Sequence, residues 1–324
     1  MTVIDRRNLL GAAAAILAAP AVRAQAWPEG RTITLLVPFP PGGGTDVVAR
    51  VVADRLAAAL KCRFVVENRP GGGGSIGYLA AIRAPADGST MLLTSSAIAT
   101  MPYLYPSKGY DPLRDLTPIS EVGITPSLIC VGPSVAATSL KDFIAEAKAK
   151  PGAFTYASAG IGSGLHLAAE LFNKMAGIEV RHVPYKGAQL AVGDLLGGRI
   201  DMIADALPSV RALVQDGKLK ALGITTPKRS PLAPDVPPVG ETVPGYDYSA
   251  WFGLFLPAKA PAGMAERVQA ALAEVVAQKD FQDRVAVLGI ETIGSPPAAF
   301  RSFMEADLAR WQKVIKDLGI SADG

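Results

Sequence analysis

The side chains that could do nucleophilic or metal chemistry in this chain of 324 residues are few: two histidines, two cysteines, and serines at the ends of predicted strands. Ser163 and His166 form the one tempting nucleophile and base. A nucleophile elbow of the GxSxG type needs glycine two residues before the serine, where this chain has Ile161, and no carboxylate is evidently assigned to orient His166. A serine hydrolase using this pair is therefore the lesser alternative, and no catalytic residue is expected. Two cysteines and two histidines without ligand spacing argue against zinc, so no metal is expected. Cys62 and Cys130 are expected as unpaired, buried small residues, because nothing in the sequence brings them together.

Glycine-rich loops carry the second kind of chemistry. VPFPPGGGTD (Val37 to Asp46), GGGGSIG (Gly71 to Gly77) and SAGIGSG (Ser158 to Gly164) each stand between a predicted strand and a predicted helix. Main-chain N–H groups that converge at the positive end of a helix favour an anion. A tight turn without any ligand is the bland alternative. Gly72, Gly74 and Gly77 satisfy a bare GxGxxG, but the following strand TMLLTSS ends in hydroxyls instead of the acidic residue that would hold a ribose. No glycine loop ends in the lysine of a P-loop, and no cofactor is expected. A carboxylate losing several kcal/mol of hydration regains about 1.5 to 3 kcal/mol per charge-assisted hydrogen bond. Four or five such donors would reach the roughly 8 kcal/mol of a micromolar binder.

The elements that position these loops alternate between strand and helix. TITLLV reads as a strand, and Val47, Val48, Val51, Val52, Leu56 and Leu60 form the apolar side of a helix that Thr45 or Asp46 can cap. Ser75 is expected to cap the short helix after the second loop. Ser95 and Ser96 end TMLLTSS at a carboxyl edge, where open α/β sheets hold small ligands. Residues 102–118 read as a long irregular connection. Ser139 caps the next helix, AFTYAS leads into the third loop, and EVRHV meets Tyr185. IDMIA ends at Asp205, which reads equally as a ligand contact or as the cap of the helix from Leu207. The proline-rich stretch 226–244 is a surface excursion, WFGLFLPA is a strand, and helices begin near Pro261, Asp280 and Pro296. The fold class is α/β, with crossovers long enough for parallel pairing in two lobes, each an open α/β sheet flanked by helices.

Residues 1–26 read as a cleavable signal peptide, with cleavage after Ala24 or Ala26. Arg6 and Arg7 precede an apolar run from Leu9 to Ala19, too short for the roughly 20 residues of a membrane span. The paired arginines fit twin-arginine export, although Asp5 stands where that signal carries a hydroxyl residue. Without Arg6, Arg7, Arg23 and Asp5, the formal net charge of +3 falls to +1. A nearly neutral chain excludes nucleic acid and anionic membrane as the expected partners. A periplasmic, monomeric protein is expected.

VPFPPGGGTD, ENRPGGGGSIG, YASAGIGSGLHLAAELF, HVPYKG followed by DLLGGRIDM, and WFGLFLPAKAP, in this order, resemble the periplasmic solute-binding proteins of tripartite tricarboxylate transporters, the Bug family. The resemblance runs from about Trp27 to the C-terminus. It implies a type II periplasmic-binding-protein-like fold that closes about a hinge. Lobe I would comprise residues 27–127 plus 255–324, and lobe II residues 128–254. It also implies a small organic acid as ligand, whether a mono- or dicarboxylate, aromatic or amino-acid-like. The partners would be membrane permease subunits or, alternatively, a sensor kinase of a two-component system. Carried onto this chain, the ligand-binding residues are Phe39, Gly43, Thr45 and Asp46 from the first loop and Ser158, Gly160 and Ser163 from the third. Ser95, Ser96, Tyr185 and Asp205 follow at strand ends, and His166, at the helix entrance, reads at least equally as a structural residue.

Overall fold

TITLLV folds as β1 (Thr32–Val37), whose Ile33, Leu35 and Val37 line one face with no exposed surface while Leu36 is buried on the other, as befits a strand covered on both faces. In the computed structural model, which describes residues 27–161, 163–185 and 188–319, β1 lies within a six-stranded sheet. Residues 1–26, expected as a signal peptide, Gly162 of the third glycine loop, and Lys186 and Gly187 of the HVPYKG motif lie outside the described residues. β2 (Arg63–Asn68) and β3 (Thr90–Ser95) flank β1 in parallel, and β4 (Leu116–Thr125) lies further along the same sheet. The chain then crosses through Pro126 into a second sheet made of β5 (Ser127–Val131), β6 (Thr155–Ser158), β7 (Arg181–Pro184), β8 (Met202–Ala206) and β9 (Lys220–Ile224). It returns as β10 (Ala250–Pro257), and β11 (Glu291–Thr292) completes the first sheet. The strand orders are β11-β4-β10-β3-β1-β2 and β7-β6-β8-β5-β9.

This is the two-lobed α/β architecture, but its sheets are mixed instead of parallel. β10 runs antiparallel to β3 and β4, and β5 runs antiparallel to β8 and β9. The cause is topological. A strand that crosses between sheets must leave at their shared edge and enter the next sheet from that edge. β5 and β10 therefore start where β3, β6 and β8 end: Ser127 pairs with Ala206, and Phe252 with Ser95. The carboxyl ends that carry Ser95, Ser158 and Asp205 are thereby turned toward the join. The return comes at Ala250, so β10 begins inside the stretch 128–254 expected for lobe II.

Three local expectations are corrected. Residues 102–118 are largely ordered: helix Ala97–Leu104 contains Pro102, Pro112–Asp115 forms a helical turn, and β4 begins at Leu116. Asp111 accepts hydrogen bonds from the Leu113 and Arg114 N–H groups and so starts that turn in a proline-rich stretch. Helix Gly44–Leu60 has Gly43 at its N-cap, which leaves Thr45 and Asp46 inside its first turn. Helix Ser75–Ile82 follows Gly74, whose φ of 101° admits glycine readily, so Ser75 is not its cap.

Val48, Val52, Leu56 and Leu60 face the first sheet from the 44–60 helix, each stabilising the fold by about 1.5–3 kcal/mol on burial. Helix Pro297–Leu318 sends Phe300, Met304, Trp311 and Ile315 into a core continuous with residues of the second sheet. Cys130 is buried and Cys62 only half-buried, and both are free thiols.

Candidate functional site

Where the two sheets meet, a cavity of about 260 Å³ opens between Ser95 and Ser96 at the end of β3 and Ser163 and Gly164 at the start of helix Gly164–Ala176. Thr100, Tyr248, Ser249 and Trp311 complete its polar and aromatic lining, which holds no lysine or arginine among the described residues. Both lobes therefore contribute hydroxyls to one space. A larger groove of about 710 Å³, lined by Arg69, Arg83 and Ile76, lies on the first lobe alone. The smaller cavity is the better site because it brings a strand end of the first sheet, Ser95 and Ser96, against a helix N-terminus of the second lobe, Ser163 and Gly164.

Ser163 is the N-cap of the 164–176 helix, and its Oγ accepts a hydrogen bond from the His166 N–H at 3.3 Å. A β-carbon on Gly164 would stand 2.5 Å from the Tyr248 Oη, so glycine permits the close approach of these two walls. Tyr248 and Trp311 meet edge to face with centroids 5.9 Å apart. Sequence reasoning passed over both aromatics. Tyr248 lies at the join only because β10 crosses back there, and Trp311 reaches it from the C-terminal helix.

Ser158 and His166 are buried behind this wall. Ser158 Oγ accepts from the Gly160 N–H at 3.1 Å and lies 2.6 Å from His182 Nε2. Gly160 thus directs its N–H inward, and its carbonyl accepts from the Ser163 N–H. In this loop Ser158 Oγ meets the His182 ring, and Ser163 Oγ meets the His166 main chain. Ser158 has no exposed surface, and such a hydroxyl is closed to a substrate. Burial, then the neighbouring His182, pushes the His166 pKa down to about 4, and burial also lowers that of His182.

Thr45 and Asp46 are buried in the first turn of the 44–60 helix, which with the loop before it forms no wall of this cavity among the described residues. The Asp46 carboxylate accepts from the Gly42 N–H at 2.9 Å, from Arg50 Nε at 3.0 Å and from Asn68 Nδ2 at 2.9 Å. Asn68 also donates to the Phe39 carbonyl at 3.0 Å. Burial alone would raise the Asp46 pKa, but these hydrogen bonds outweigh it and hold the group below its ordinary value. Asp46 therefore braces the loop that carries Phe39 and Gly43. Tyr185 donates its hydroxyl to Asp194 at 2.7 Å within the second lobe. Asp205 is buried, with Oδ1 accepting from the Ala206 N–H at 2.7 Å, and burial raises its pKa to about 6. Ala206, not Asp205, is the N-cap of helix Leu207–Gln215.

Among the described residues no group of three or more His, Cys, Asp or Glu could hold a metal ion, and no helix is long and apolar enough to cross a membrane.

The sequence profile of the family described as tripartite tricarboxylate transporter family receptor matches residues 48–320. Protein BugT of Bordetella pertussis is 37% identical over 310 residues, which are 95% of this chain and 94% of that protein. Among solved structures, R. palustris Rpa4515 with adipate is 35% identical with a TM-score of 0.75, covering 91% of this chain and 99% of that one. MatC from Rhodopseudomonas palustris with bound malate is 28% identical with a TM-score of 0.71, covering 88% and 99%.

Proposed function

Because the chain belongs to the tripartite tricarboxylate transporter receptor family, we propose that it captures a small mono- or dicarboxylate between its lobes and delivers it to membrane permease subunits. The observation that carries this reading is the cavity at the join, lined from both lobes by serine hydroxyls and a helix N-terminus and, among the described residues, by no cationic side chain. Such a lining favours an anion through hydrogen bonds and the helix dipole, without the fixed charge that would also hold inorganic anions indiscriminately. Ser95, Ser96 and Ser163 are the proposed ligand contacts, together with Thr100 and Tyr248. The loop containing Phe39, Gly43 and Thr45 supplies main-chain donors once the lobes close on a ligand. Rpa4515 with adipate and MatC with malate support the class of ligand.

No chemistry is proposed at the site: the Ser158 hydroxyl, which meets the His182 imidazole, is buried and is not part of the cavity lining. The leader-like start of the chain supports action in the periplasm.

A thermal-shift screen of the purified protein tests the reading, since a ligand bound only by the native state raises its stability by mass action. At least one of adipate, malate, succinate or benzoate should raise the unfolding midpoint at millimolar concentration. Shifts given only by uncharged sugars or by cations would overturn the carboxylate assignment.

A further inference from the structure

The chain's two histidines lie against each other. Their rings stack with centroids 4.1 Å apart and planes inclined by 22°, and Tyr156 extends the column with its ring 4.8 Å from that of His182. Strand register explains the arrangement. Tyr156 on β6 pairs directly with His182 on β7, and Ser158 follows Tyr156 by two residues on the same face. His166 comes down onto that face from the first turn of the 164–176 helix. Glu170, four residues along, accepts a hydrogen bond from the Tyr156 hydroxyl. The groups facing His182 are thus Tyr156 and Ser158 from β6, and His166 with Glu170 behind it from the helix.

The Ser158 hydroxyl has one proton and two acceptors within reach, His182 Nε2 at 2.6 Å and the Gly160 carbonyl at 3.1 Å. A neutral His182 with its proton on Nδ1 takes the shorter bond. It leaves the Ser158 oxygen turned to accept from the Gly160 N–H. A charged imidazole would reverse that bond, since both its nitrogens are donors, and would turn the serine proton toward the Gly160 carbonyl already used by the Ser163 N–H.

We propose that His182 is a positioning residue for ligand capture: through Ser158 it fixes Gly160 inward and so sets the turn that presents Ser163 to the cavity. This rests on the reading of the cavity as the ligand site. His182 touches no ligand itself. Stacking by His166 and Tyr156 holds its ring in the plane that the Ser158 bond requires.

Two substitutions separate the ring from its nitrogen. His182→Phe keeps the stack and removes Nε2, whereas His182→Gln keeps a polar partner for Ser158 and removes the ring. Ser158→Ala deletes the other end of the bond and serves where either change at 182 prevents folding. Amide hydrogen exchange at Gly160 in the ligand-free full chain is the first readout, and the Kd for adipate by calorimetry is the second. Phe and Ala should each accelerate Gly160 exchange by about tenfold and raise the adipate Kd at least fivefold, and Gln should restore both to within about twofold of wild type. Unchanged Gly160 exchange in His182→Phe would overturn the proposal, as would faster exchange without loss of affinity, or a Gln variant as impaired as Phe. If wild-type protein binds no adipate and no other carboxylate, the ligand reading fails by itself, and Gly160 exchange still decides whether His182 holds the loop.

Discussion

The indole N–H of Trp251, on the strand that returns to the first sheet, donates to the Asp307 carboxylate on the C-terminal helix at 3.0 Å, with both residues buried. Arg310 donates to the other Asp307 oxygen and, at 2.6 Å, to the carbonyl of Asp247 just before β10. The indole also meets Phe300 and Phe303 edge to face. One side chain thus fastens the crossing strand to the helix that backs both lobes. Trp251→Phe would leave a gap and a buried carboxylate short of one donor. Combining a lost charge-assisted bond with the lost volume, the expected destabilisation is about 2–4 kcal/mol in urea unfolding. A loss below about 1 kcal/mol would show that Arg310 alone satisfies Asp307.

Asp46 offers a second test of construction. Its carboxylate has three donors, one of them the Gly42 main chain, and Arg50 is largely exposed, so most of its worth lies in the loop contacts. Asp46→Asn would turn an amide N–H₂ toward donors and should cost about 1–3 kcal/mol at pH 7. Because the folded-state pKa is depressed, the stabilisation is full above the ordinary carboxylate range and is lost as pH falls through the depressed value. The gap between wild type and Asp46→Asn should be constant from pH 6 to 8 and shrink below about pH 4. A gap that grows on acidification would contradict this account.

Much of the architecture was legible because its signals are local. Periodic apolar residues mark the 44–60 and 297–318 helices, and aliphatic runs mark β1, β3 and β5. The mixed sheets were not legible, since strand direction at the join follows from two crossings that no local pattern records. At the site, Ser95, Ser96 and Ser163 stood out as polar residues at strand and helix ends. Tyr248 and Trp311 did not, because an aromatic residue on an amphipathic helix or beside a strand looks the same whether it packs or lines a cleft. Ser158 reads as a ligand contact, and His166 as a structural residue at least as much as a contact. Only the pairing of Tyr156 with His182 shows His166 to belong to a buried stack of rings, with Ser158 hydrogen-bonded to it.

Two buried groups should oppose each other across mildly acidic pH. Burial, helped by Asp307 and Asp247, raises the Glu121 pKa to about 7. Folded Glu121 therefore holds its proton better than the unfolded chain does, and its contribution fades as pH rises toward 7. His166, lowered to about 4, works the other way: the unfolded chain takes up the proton first, and stability falls as pH drops below about 6.5. Wild type should vary less with pH than either group alone would dictate. Glu121→Gln removes one side of the balance, and its stability relative to wild type should improve by roughly 2–3 kcal/mol between pH 5 and pH 8. Urea midpoints at the two pH values measure it, and a difference that does not change with pH would refute the assignment to Glu121.

Gly164 and Tyr248 bring the two walls of the cavity together. The Tyr248 ring is buried edge-on against Trp311 and has little room to swing aside. A methyl group at 164, 2.5 Å from its hydroxyl, must be accommodated by shifting the start of the 164–176 helix or by parting the walls. Alanine is itself favoured over glycine in a helix by about 0.5–1 kcal/mol, so overall stability should change little. Binding should suffer instead: Gly164→Ala is expected to raise the Kd of whichever carboxylate the thermal-shift screen identifies about tenfold, equivalent to roughly 1.4 kcal/mol. Tyr248→Phe removes the offending oxygen and should weaken binding only by the loss of one hydrogen bond. In the double variant the clash is gone, so the two losses should combine to much less than their sum, a coupling that calorimetric double-mutant cycles resolve. Strictly additive losses would mean that the walls meet elsewhere when the lobes close.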